Sequence, residues 1–587
     1  MILVVMGVTG SGKSTVARGL ALRLGWEFLE ADDFHSAANK EKMHAGVPLT
    51  DEDRGPWLGA MHEELKRLAA EGKSAVLACS ALKEAYRERL EEGLGTKFVY
   101  LRGDYETIAG RLRARAGHFA GESILADQFA VLEEPRGAVE VSVGESPEKI
   151  VERVVERLGL GGEAVEERAL LGKVRWRLLP FLLLLYVVAY LDRINVGFAA
   201  LQMKGQLGFS DAVYGLGAGI FFVGYFLFQV PSNLMLERIG ARRWIGVLMA
   251  AWGAISASMM FVHSAQSFYT MRFLLGVAEA GFFPGVIFYL RGWFPAAARA
   301  GVVAIFMTAG PISGMLGGPI SGALLDWDRL AGLAGWQWMF LMEGIPAILL
   351  GAVTARVLPN GPGEAKWLGK RESAWLAWRV SEERPEARVA TVEDGGRWWA
   401  SATLWGFALV YFGLNTCTYG ISLWLPSALK SLSGLPNLLL GFLSAVPYVV
   451  AATTMVLVGT HSDRTGERRW HIALSAVAGG AALVTAGSTS AVVASVAAYA
   501  IALSASSSMA GPFWALASGS LTGATAARGI ALINAVGNLG SGVGPYWIGY
   551  MRDVTGGFRA GLYGVALLIL TAGTVVLFLG RAKREGT

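Results

Sequence analysis

The chain has 587 residues, of which 53% are hydrophobic, and a formal net charge of +5. This length exceeds that of one ordinary domain, and the mean hydropathy of +0.43 excludes a purely soluble protein. The Lys and Arg residues are scattered rather than gathered in runs, which argues against a nucleic-acid partner and favours membrane topology as the source of the charge. The only two cysteines, Cys79 and Cys417, imply neither a disulfide framework nor a Cys-based metal site.

The first 160 residues have the pattern of an α/β domain. Charged, helix-like segments alternate with the short apolar strands ILVVM, SAVLAC and KFVYL, which is typical of a buried parallel sheet flanked by helices. Met1 runs directly into the first strand without a basic leader, so we expect no signal peptide and a cytoplasmic N-terminus. Residues 161–176 are charged and contain two adjacent glycines, and we interpret them as a linker.

Residues 177–587 have the pattern of an all-α membrane domain. Crossing a bilayer takes roughly 20 helical residues, and apolar stretches of that length recur along this region. We predict twelve transmembrane helices, which begin near Leu178, Val213, Trp244, Phe268, Ala300, Trp338, Ser401, Pro436, His471, Ala491, Arg528 and Phe558. A charged central loop, residues 359–398, separates the sixth helix from the seventh and divides the domain into two six-helix halves.

A repeated loop and the loop charges set the expected topology. ERIGARR at 237–243 and DRTGERR at 463–469 share an acidic residue, a glycine and three arginines at matching places in the two halves, which indicates an internal repeat. Basic residues are more frequent in the loops on the N-terminal side of the membrane, as the positive-inside rule requires if both termini are cytoplasmic. We therefore expect a multi-pass protein of the inner (cytoplasmic) membrane, with the first domain in the cytoplasm.

A P-loop pattern occupies residues 7–14. The stretch GVTGSGKS satisfies G-x-x-x-x-G-K-S between a predicted strand and a predicted helix. Glycines such as Gly10 and Gly12 let backbone amides approach phosphate oxygens, and Lys13 neutralises phosphate charge. Ser14 is the predicted ligand of Mg2+. The motif by itself predicts a nucleotide-phosphate site and leaves GTPase, ATPase and small-molecule kinase open.

The first domain resembles the gluconokinase family of small P-loop kinases over nearly its whole length. The stretches that carry the resemblance, in family order, are MGVTGSGKST, ADDFHSAANKEKMHAGVPLTDEDRGPWL, CSALKEAYRERL, VYLRGDYETIAGRLRARAGHF and DQFAVLEEP. The resemblance implies ATP-dependent phosphorylation of the gluconate 6-hydroxyl, giving 6-phosphogluconate, with ATP and Mg2+ as cofactors. Gluconokinases are often dimers, so the resemblance also makes a homodimer through the kinase domain one of the possible assemblies. The oligomeric state is left open.

Candidate kinase residues lie inside these matched stretches. Asp32, with Asp33 beside it, can orient or deprotonate the attacking hydroxyl, and arginines suit both a substrate carboxylate and the transferring charge. In this family the stretch before GHF lies in a mobile lid over the phosphates. The predicted catalytic residues are Lys13, Asp32 and Arg115. The predicted cofactor-binding residues are Gly10, Gly12, Lys13, Ser14, Thr15 and Arg111. The predicted substrate residues are Asp33, His35, Lys42, Arg54, His118 and Gln128.

The membrane domain resembles the major facilitator superfamily over residues 175–580. The stretches AYLDRINVGFAAL, FLLGVAEAGFFPGVIFYLRGWFP, FLMEGIPAI and GPFWALAS are similar to its anion:cation symporter family. That family carries hexonates, tartrate-like acids and related organic anions, often together with protons. The resemblance therefore implies an organic-anion substrate and leaves its identity open.

Charged residues inside the predicted spans are the main candidates for transport. Ionisable groups within a membrane cost on the order of 2.5 to 3.5 kcal/mol on insertion scales and usually serve function. Asp192 lies about 21 Å beyond the start of its span, at 1.5 Å per residue, and Arg193 adjoins it. In the fourth span Arg272 and Glu279 are two turns apart on one helical face. The alternative is an internal salt bridge that only holds helices together.

The resemblance to hexonate transporters divides these residues between two roles. Asp192 and Glu279 are the implied proton-coupling pair, and Arg193 is the implied anion-binding residue. The full set of predicted substrate contacts is Tyr190, Arg193, Tyr225, Gln229, Arg272 and Asn534.

Together the two halves predict a bifunctional protein. The membrane half would import gluconate with protons, and the cytoplasmic half would phosphorylate it. Two alternatives remain open at this stage. In one, the kinase-like half is a sensor that binds nucleotide or sugar acid without turnover; in the other, the transporter carries a different acid.

Overall fold

The computed structural model describes residues 1–44, 49–113, 121–161, 165–382, 401–521 and 525–579. The chain divides into two compact units. The first, which we call the sheet unit, comprises Met1–Val174, Gly292–Ala296 and Gly361–Glu386. The second, the helical unit, comprises Arg175–Arg291, Ala297–Asn360 and Ala387–Thr587. Residues 361–382 of the predicted central loop pack within the sheet unit.

The sheet unit is built on five parallel strands in the order β2-β3-β1-β4-β5. The strands are β1 (Ile2–Met6), β2 (Glu27–Glu30), β3 (Ala75–Ala78), β4 (Lys97–Arg102) and β5 (Val139–Ser142). The helices around them are α1 (Lys13–Leu24), α2 (Ala37–His44), α3 (Asp51–Ala70), α4 (Glu84–Glu91), α5 (Tyr105–Arg113), α6 (Gly121–Val131) and α7 (Pro147–Arg157). The predicted α/β fold is confirmed.

The central strand β1 explains why the sheet forms where the sequence predicts it. All five of its residues are buried, and it pairs with β3 on one side and β4 on the other. A parallel strand that is covered on both faces needs a continuous apolar run rather than an alternating one, and ILVVM supplies it. The carboxyl ends of β1 and β2 consequently lie at the same edge of the sheet, where the P-loop and the acidic ADDF turn follow them.

The helical unit contains long apolar helices. Their bounds are α8 (Glu167–Ile194), α9 (Val196–Leu207), α10 (Asp211–Ile239), α11 (Ala241–Ser258), α12 (Ala265–Glu279), α13 (Phe282–Arg291), α14 (Ala296–Met307), α15 (Ala309–Leu325), α16 (Gly335–Val357), α18 (Ala402–Ser433), α19 (Asn437–Thr465), α20 (Arg469–Ser488), α21 (Val492–Ser520), α22 (Thr525–Thr555) and α23 (Arg559–Phe578). Helix α17 (Lys370–Glu382) and the first part of α8, residues 167–174, belong to the sheet unit. Helix α8 begins inside the predicted linker, because residues from Glu167 onward are good helix formers.

Ten helical segments in the described part of the chain are long and apolar enough to span a membrane. Some of them join two helices that follow each other directly, such as α8 with α9 and α12 with α13. The predicted count of twelve is therefore not confirmed in full. The other two predicted spans correspond to α18 and α22, which have 32 and 31 residues.

Close glycine contacts hold neighbouring membrane helices together. Gly219 of α10 faces the backbone of Gly542 in α22, and Gly318 of α15 faces the backbone of Gly441 in α19. A Cβ atom at Gly219 would lie 2.5 Å from the carbonyl oxygen of Gly542. These helix pairs join the first six predicted spans to the last six, and only residues without side chains permit such approach.

Candidate functional site

The P-loop follows β1 and wraps the start of α1. Gly10 has a φ of +76° and Gly12 a φ of +93°, a backbone region that L-residues with side chains rarely adopt. Gly12 caps the helix, so the first backbone N–H groups of α1 have no side-chain partner there. A helix N-terminus of this kind favours a bound anion such as a phosphate.

Lys13 and Ser14 begin the helix directly after this turn. The Lys13 ammonium donates to the Val8 carbonyl oxygen at 2.9 Å, so it lies against the loop that it is predicted to serve. Burial lowers the pKa of Lys13, and the charges of Asp32 and Glu30 act against that shift. The Ser14 hydroxyl is bonded to the Glu30 carboxylate, and burial raises the pKa of that acid.

The surroundings of the loop fit a nucleotide phosphate group. The Ser11 hydroxyl is buried and has no hydrogen-bond partner among the described residues. A cavity of about 280 Å³ adjoins it, lined by Gly10, Gly12, Thr15, Arg111, Leu112, Pro147 and Glu382. Backbone amides, a lysine and a hydroxyl next to a carboxylate are the donor set that a magnesium nucleotide requires.

The two candidate acids lie in a short 3-10 turn, Ala31–Phe34, directly after β2. Asp32 is close enough to Lys13 for their charges to interact. The side chains of Asp32 and Asp33 are both exposed. The turn thus holds a carboxylate near the P-loop lysine, at the edge of the sheet where parallel-sheet enzymes bind their ligands.

His35 and Arg54 are fixed by neighbouring aromatic residues. The His35 ring stacks on Trp57 with centroids 4.6 Å apart and an interplanar angle of 3°. Burial lowers the pKa of His35, and Trp57 anchors the same turn by donating to the Ala31 carbonyl at 2.7 Å. Arg54 donates to the Tyr86 hydroxyl at 2.9 Å. Both predicted substrate residues are therefore oriented by their packing.

The remaining kinase candidates that the structure describes contact different parts of the sheet unit. The Lys42 ammonium donates hydrogen bonds to both carboxylate oxygens of Asp53, at 2.7 and 2.9 Å. Gln128 accepts from the Thr9 backbone N–H at 2.6 Å, which brings it to the P-loop itself. Arg111 donates to the Val143 carbonyl and lines the cavity. Arg115 and His118 lie outside the described residues.

In the helical unit, Arg193 of α8 joins three elements. Its guanidinium donates through Nε, at 3.0 Å, and through Nη2 to the same carboxylate oxygen of Glu279 in α12. Its Nη1 donates to the hydroxyl of Tyr419 in α18 at 3.0 Å. Arg193 and Glu279 are both buried, so the predicted anion-binding residue and one predicted proton-coupling acid neutralise each other in this structure.

Aromatic rings surround this ion pair. The Arg193 guanidinium lies 5.6 Å from the Tyr190 ring, 5.3 Å from Tyr225 and 5.5 Å from Phe221. Ring faces attract a cation and thus help to keep a buried guanidinium charged. The family resemblance identified Tyr190 and Tyr225, whereas Tyr419 was missed, because without a resemblance a tyrosine in an apolar span carries no signal of its own.

Two buried acids, Asp192 and Glu343, form a second cluster in the helical unit. Ser256 donates to the Asp192 carboxylate at 2.8 Å, and Glu343 of α16 is near enough for the two charges to interact. Glu343 itself accepts from Ser321 at 2.7 Å. Glu343 is not among the residues predicted from the sequence, although an acidic residue within the apolar stretch FLMEGIPAI is a signal for a functional site.

Three further predicted substrate contacts, Arg272, Gln229 and Asn534, belong to the same unit, and the Arg272 guanidinium lies 5.0 Å from the Phe221 ring that Arg193 also faces. Arg272 is fully buried, and its guanidinium donates to the carbonyls of Gly217 and Ala218 at 3.4 and 3.5 Å. These bonds join α12 to α10, and the substrate contact of Arg272 stays a prediction. Gln229 and Asn534 are half-buried.

Comparison with known proteins agrees with this division. The profile of the Major Facilitator Superfamily matches residues 182–545, and that of an AAA domain matches residues 2–135. A protein of Agrobacterium vitis named "Putative tartrate transporter" is 48% identical over 420 residues, which is 71% of this chain and 92% of that protein. A protein of Rattus norvegicus named "Probable gluconokinase" is 45% identical over 179 residues, 27% of this chain and 97% of its own.

A solved structure supports the membrane fold. The bacterial homologue of the human lysosomal transporter Spinster, in an inward-facing and occupied conformation, matches with a TM-score of 0.58 at 16% identity. The match covers 69% of this chain and 96% of the homologue, and it shows a shared fold. The chain belongs to the major facilitator superfamily and carries a gluconokinase-family domain fused to the N-terminal side of its transporter fold.

Proposed function

We propose that this protein imports gluconate together with protons and phosphorylates it at the 6-hydroxyl with ATP and Mg2+, so that one chain both admits and traps its substrate. The observation that carries the proposal is the presence, in one chain, of a gluconokinase-family domain with a complete P-loop and a transporter with a buried arginine-acid cluster. Phosphorylation adds charge and removes the transported species, which keeps uptake downhill.

In the kinase half, the proposed site residues position the reacting groups or stabilise the charge of the phosphates. Magnesium ATP supplies the phosphoryl group. Lys13, which is bonded to the Val8 carbonyl, would turn from that acceptor toward the phosphates, and the amides at the start of α1 would hold their oxygens. Ser14, beside Glu30, is the proposed metal ligand. Asp32 would accept the proton of the attacking hydroxyl.

The proposed sugar-acid contacts lie on the same edge of the sheet. Arg54 would bind the carboxylate and His35 a hydroxyl, and both are already fixed by Tyr86 and Trp57. Arg111 would stay at the nucleotide side of the cavity, where Gln128 orders the loop through Thr9. Asp33, Lys42, His118 and the catalytic candidate Arg115 remain predictions for the same site.

In the transporter half, competition for Arg193 couples the anion to the proton. A substrate carboxylate and the Glu279 carboxylate are alternative partners for one guanidinium. Protonation of Glu279 removes its negative charge and leaves Arg193 ready for the substrate, and deprotonation displaces the substrate again. Asp192 would act as the second proton site, with Tyr190, Tyr225, Gln229 and Asn534 around the sugar hydroxyls.

The proposed setting is the inner membrane, with both termini and the kinase half in the cytoplasm, where ATP is available. The alternation of basic and less basic loops supports this orientation. A homodimer through the kinase half is the proposed assembly if the chain is not monomeric.

A second candidate function differs only in the transported acid. The relative from Agrobacterium vitis is named for tartrate, and a dicarboxylic acid would also suit Arg193. In that case the kinase half would act on a different sugar acid from the one that the membrane half carries.

A substrate panel on the purified full-length protein tests the proposal. Phosphorylation of gluconate, tartrate and other sugar acids would be measured in detergent, and uptake of the same labelled acids in proteoliposomes with an inward proton gradient. We expect gluconate to be phosphorylated and taken up faster than the other acids tested. Robust phosphorylation of gluconate combined with uptake of tartrate alone would refute the shared-substrate account in favour of the second candidate.

A further inference from the structure

Helix α17 lies in the chain segment that joins the sixth predicted span to the seventh, yet it packs within the sheet unit. It has 13 residues and a charged sequence, KRESAWLAWRVSE, of the kind usually found in solvent. Its apolar side chains are nevertheless buried, with Trp375 at 1% exposure and Trp378 at 6%. Burial of two tryptophans indicates a specific interface, because these side chains bring the largest apolar areas to a contact.

The tryptophans contact the helix that follows the P-loop. The Trp378 ring lies over Gly19 of α1, so that a Cβ atom at position 19 would be 2.4 Å from the ring. The Arg23 guanidinium, at the end of α1, lies 4.8 Å from the Trp375 ring centroid. Glycine is disfavoured in the interior of a helix, so the ring contact gives Gly19 a physical reason to be there.

Polar contacts surround these rings and fix the register of α17. Arg371 donates to the Arg23 carbonyl at 2.7 Å, and Glu372 is paired with Lys173 at 2.7 Å. Arg379 lies 3.4 Å from Glu148 and 3.4 Å from Glu167. The helix is therefore held at both ends and on both sides.

The last residue of α17 reaches the nucleotide cavity. Glu382 lines the same 280 Å³ cavity as Gly10, Gly12 and Arg111. One short helix thus contacts α1 at Gly19 and Arg23 and also borders the space that the phosphates are proposed to fill.

We propose that α17 is a positioning element of the phosphoryl-transfer site, through which nucleotide affinity depends on the segment between the sixth and seventh spans. This inference rests on the proposed kinase function. Because the N-terminus of α1 holds the phosphates, an element that fixes α1 also fixes the direction of those amides. The partner surface on α1 and α7 is shaped for this helix of the same chain rather than for a second protein.

The test uses two variants of the full chain. The first creates a steric clash between α1 and α17, and the second relieves that clash. Gly19→Ala places a methyl group against Trp378, and we expect the KM for ATP to rise roughly tenfold with little change in kcat. Gly19→Ala combined with Trp378→Phe should restore part of that loss, because the smaller ring makes room for the methyl group and still packs on α1. Gly59→Ala in α3 is the matched control, since a Cβ atom there meets nothing within 4 Å.

Binding of a non-hydrolysable ATP analogue, measured by calorimetry on the same proteins, separates positioning from mere structural support. The proposal requires weaker analogue binding in Gly19→Ala, recovery in the double variant, and faster amide exchange in peptides from α1. Analogue binding by Gly19→Ala that equals the wild type, or a loss that Trp378→Phe fails to repair in part, would overturn it. If the wild type binds the analogue but phosphorylates no sugar acid, the proposed activity fails while this binding test stands.

Discussion

Arg193 in α8 donates two hydrogen bonds to a single carboxylate oxygen of Glu279 in α12, and a third to the Tyr419 hydroxyl in α18. The cation proposed to bind substrate and the acid proposed to bind the proton are thus each other's partner. A salt bridge of this kind, in a buried site, is broken at high cost unless another charge replaces it. A substrate carboxylate is such a replacement.

This pairing predicts how Glu279→Gln behaves. The amide keeps the shape of the acid but removes its charge, so Arg193 becomes permanently available to an anion. We expect exchange of substrate across the membrane to persist and proton-driven accumulation to be lost. Counterflow and uphill uptake in proteoliposomes measure the two activities separately. Accumulation that still follows the proton gradient in this variant would rule out Glu279 as a coupling acid.

The two buried arginines should respond differently to the same substitution. Arg193→Lys loses the forked guanidinium that binds carboxylates bidentately, and we expect substrate affinity to fall about tenfold or more. Arg272→Lys is the matched control, because the hydrogen bonds of Arg272 in the described part of the chain go to backbone carbonyls of α10. It should lower thermal stability and leave affinity almost unchanged. Equal losses of affinity in the two variants would contradict these assignments.

Lys13→Ala should separate the two halves of the molecule. Loss of the P-loop cation removes charge stabilisation from the transferring phosphoryl group, and we expect phosphorylation to fall at least about 100-fold. Exchange across the membrane should continue. Lys73→Ala, at an exposed lysine paired with Glu71, is the control and should retain both activities. Loss of exchange in a folded Lys13→Ala protein would refute the modular account.

The stacked histidine predicts a pH dependence of the sheet unit. Burial lowers the pKa of His35; the charges of Lys40 and Arg54 add to that shift, and Asp32 opposes it. The unfolded chain, with a pKa of about 6.5, therefore binds this proton more readily than the folded one, and stability falls as the pH drops below about 6.5.

Amide exchange in β1, corrected for its intrinsic pH dependence, measures this effect. Protection should be lower at pH 5.5 than at pH 7.5 in the wild type. His35→Gln should weaken that difference. An unchanged difference in His35→Gln would assign the effect to other groups.

Much of the architecture could be read from local sequence patterns. The ILVVM strand, the glycines of the P-loop and the Asp192-Arg193 pair each carry a signal within a few residues. The roles that depend on distant contacts could not be read in this way. Gln128 meets Thr9 across 119 positions, and Tyr419 meets Arg193 across 226.

The central segment shows the same limit in a different form. Its charges predicted a loop, and its tryptophans had no periodicity long enough to reveal a buried face. Only the fold brings Trp378 to Gly19 and turns part of that loop into a component of the sheet unit. Glu343 differs from these cases, since an acid within the apolar stretch FLMEGIPAI is itself a local signal in the sequence.

Import and phosphorylation of gluconate by one chain can be measured directly with labelled gluconate. The cells used lack their own gluconate transporter and gluconokinase and express the full chain. We predict labelled 6-phosphogluconate inside cells with the wild type, and unmodified gluconate inside cells with Lys13→Ala. Absence of gluconate uptake in cells that accumulate labelled tartrate through the same protein would contradict the claim.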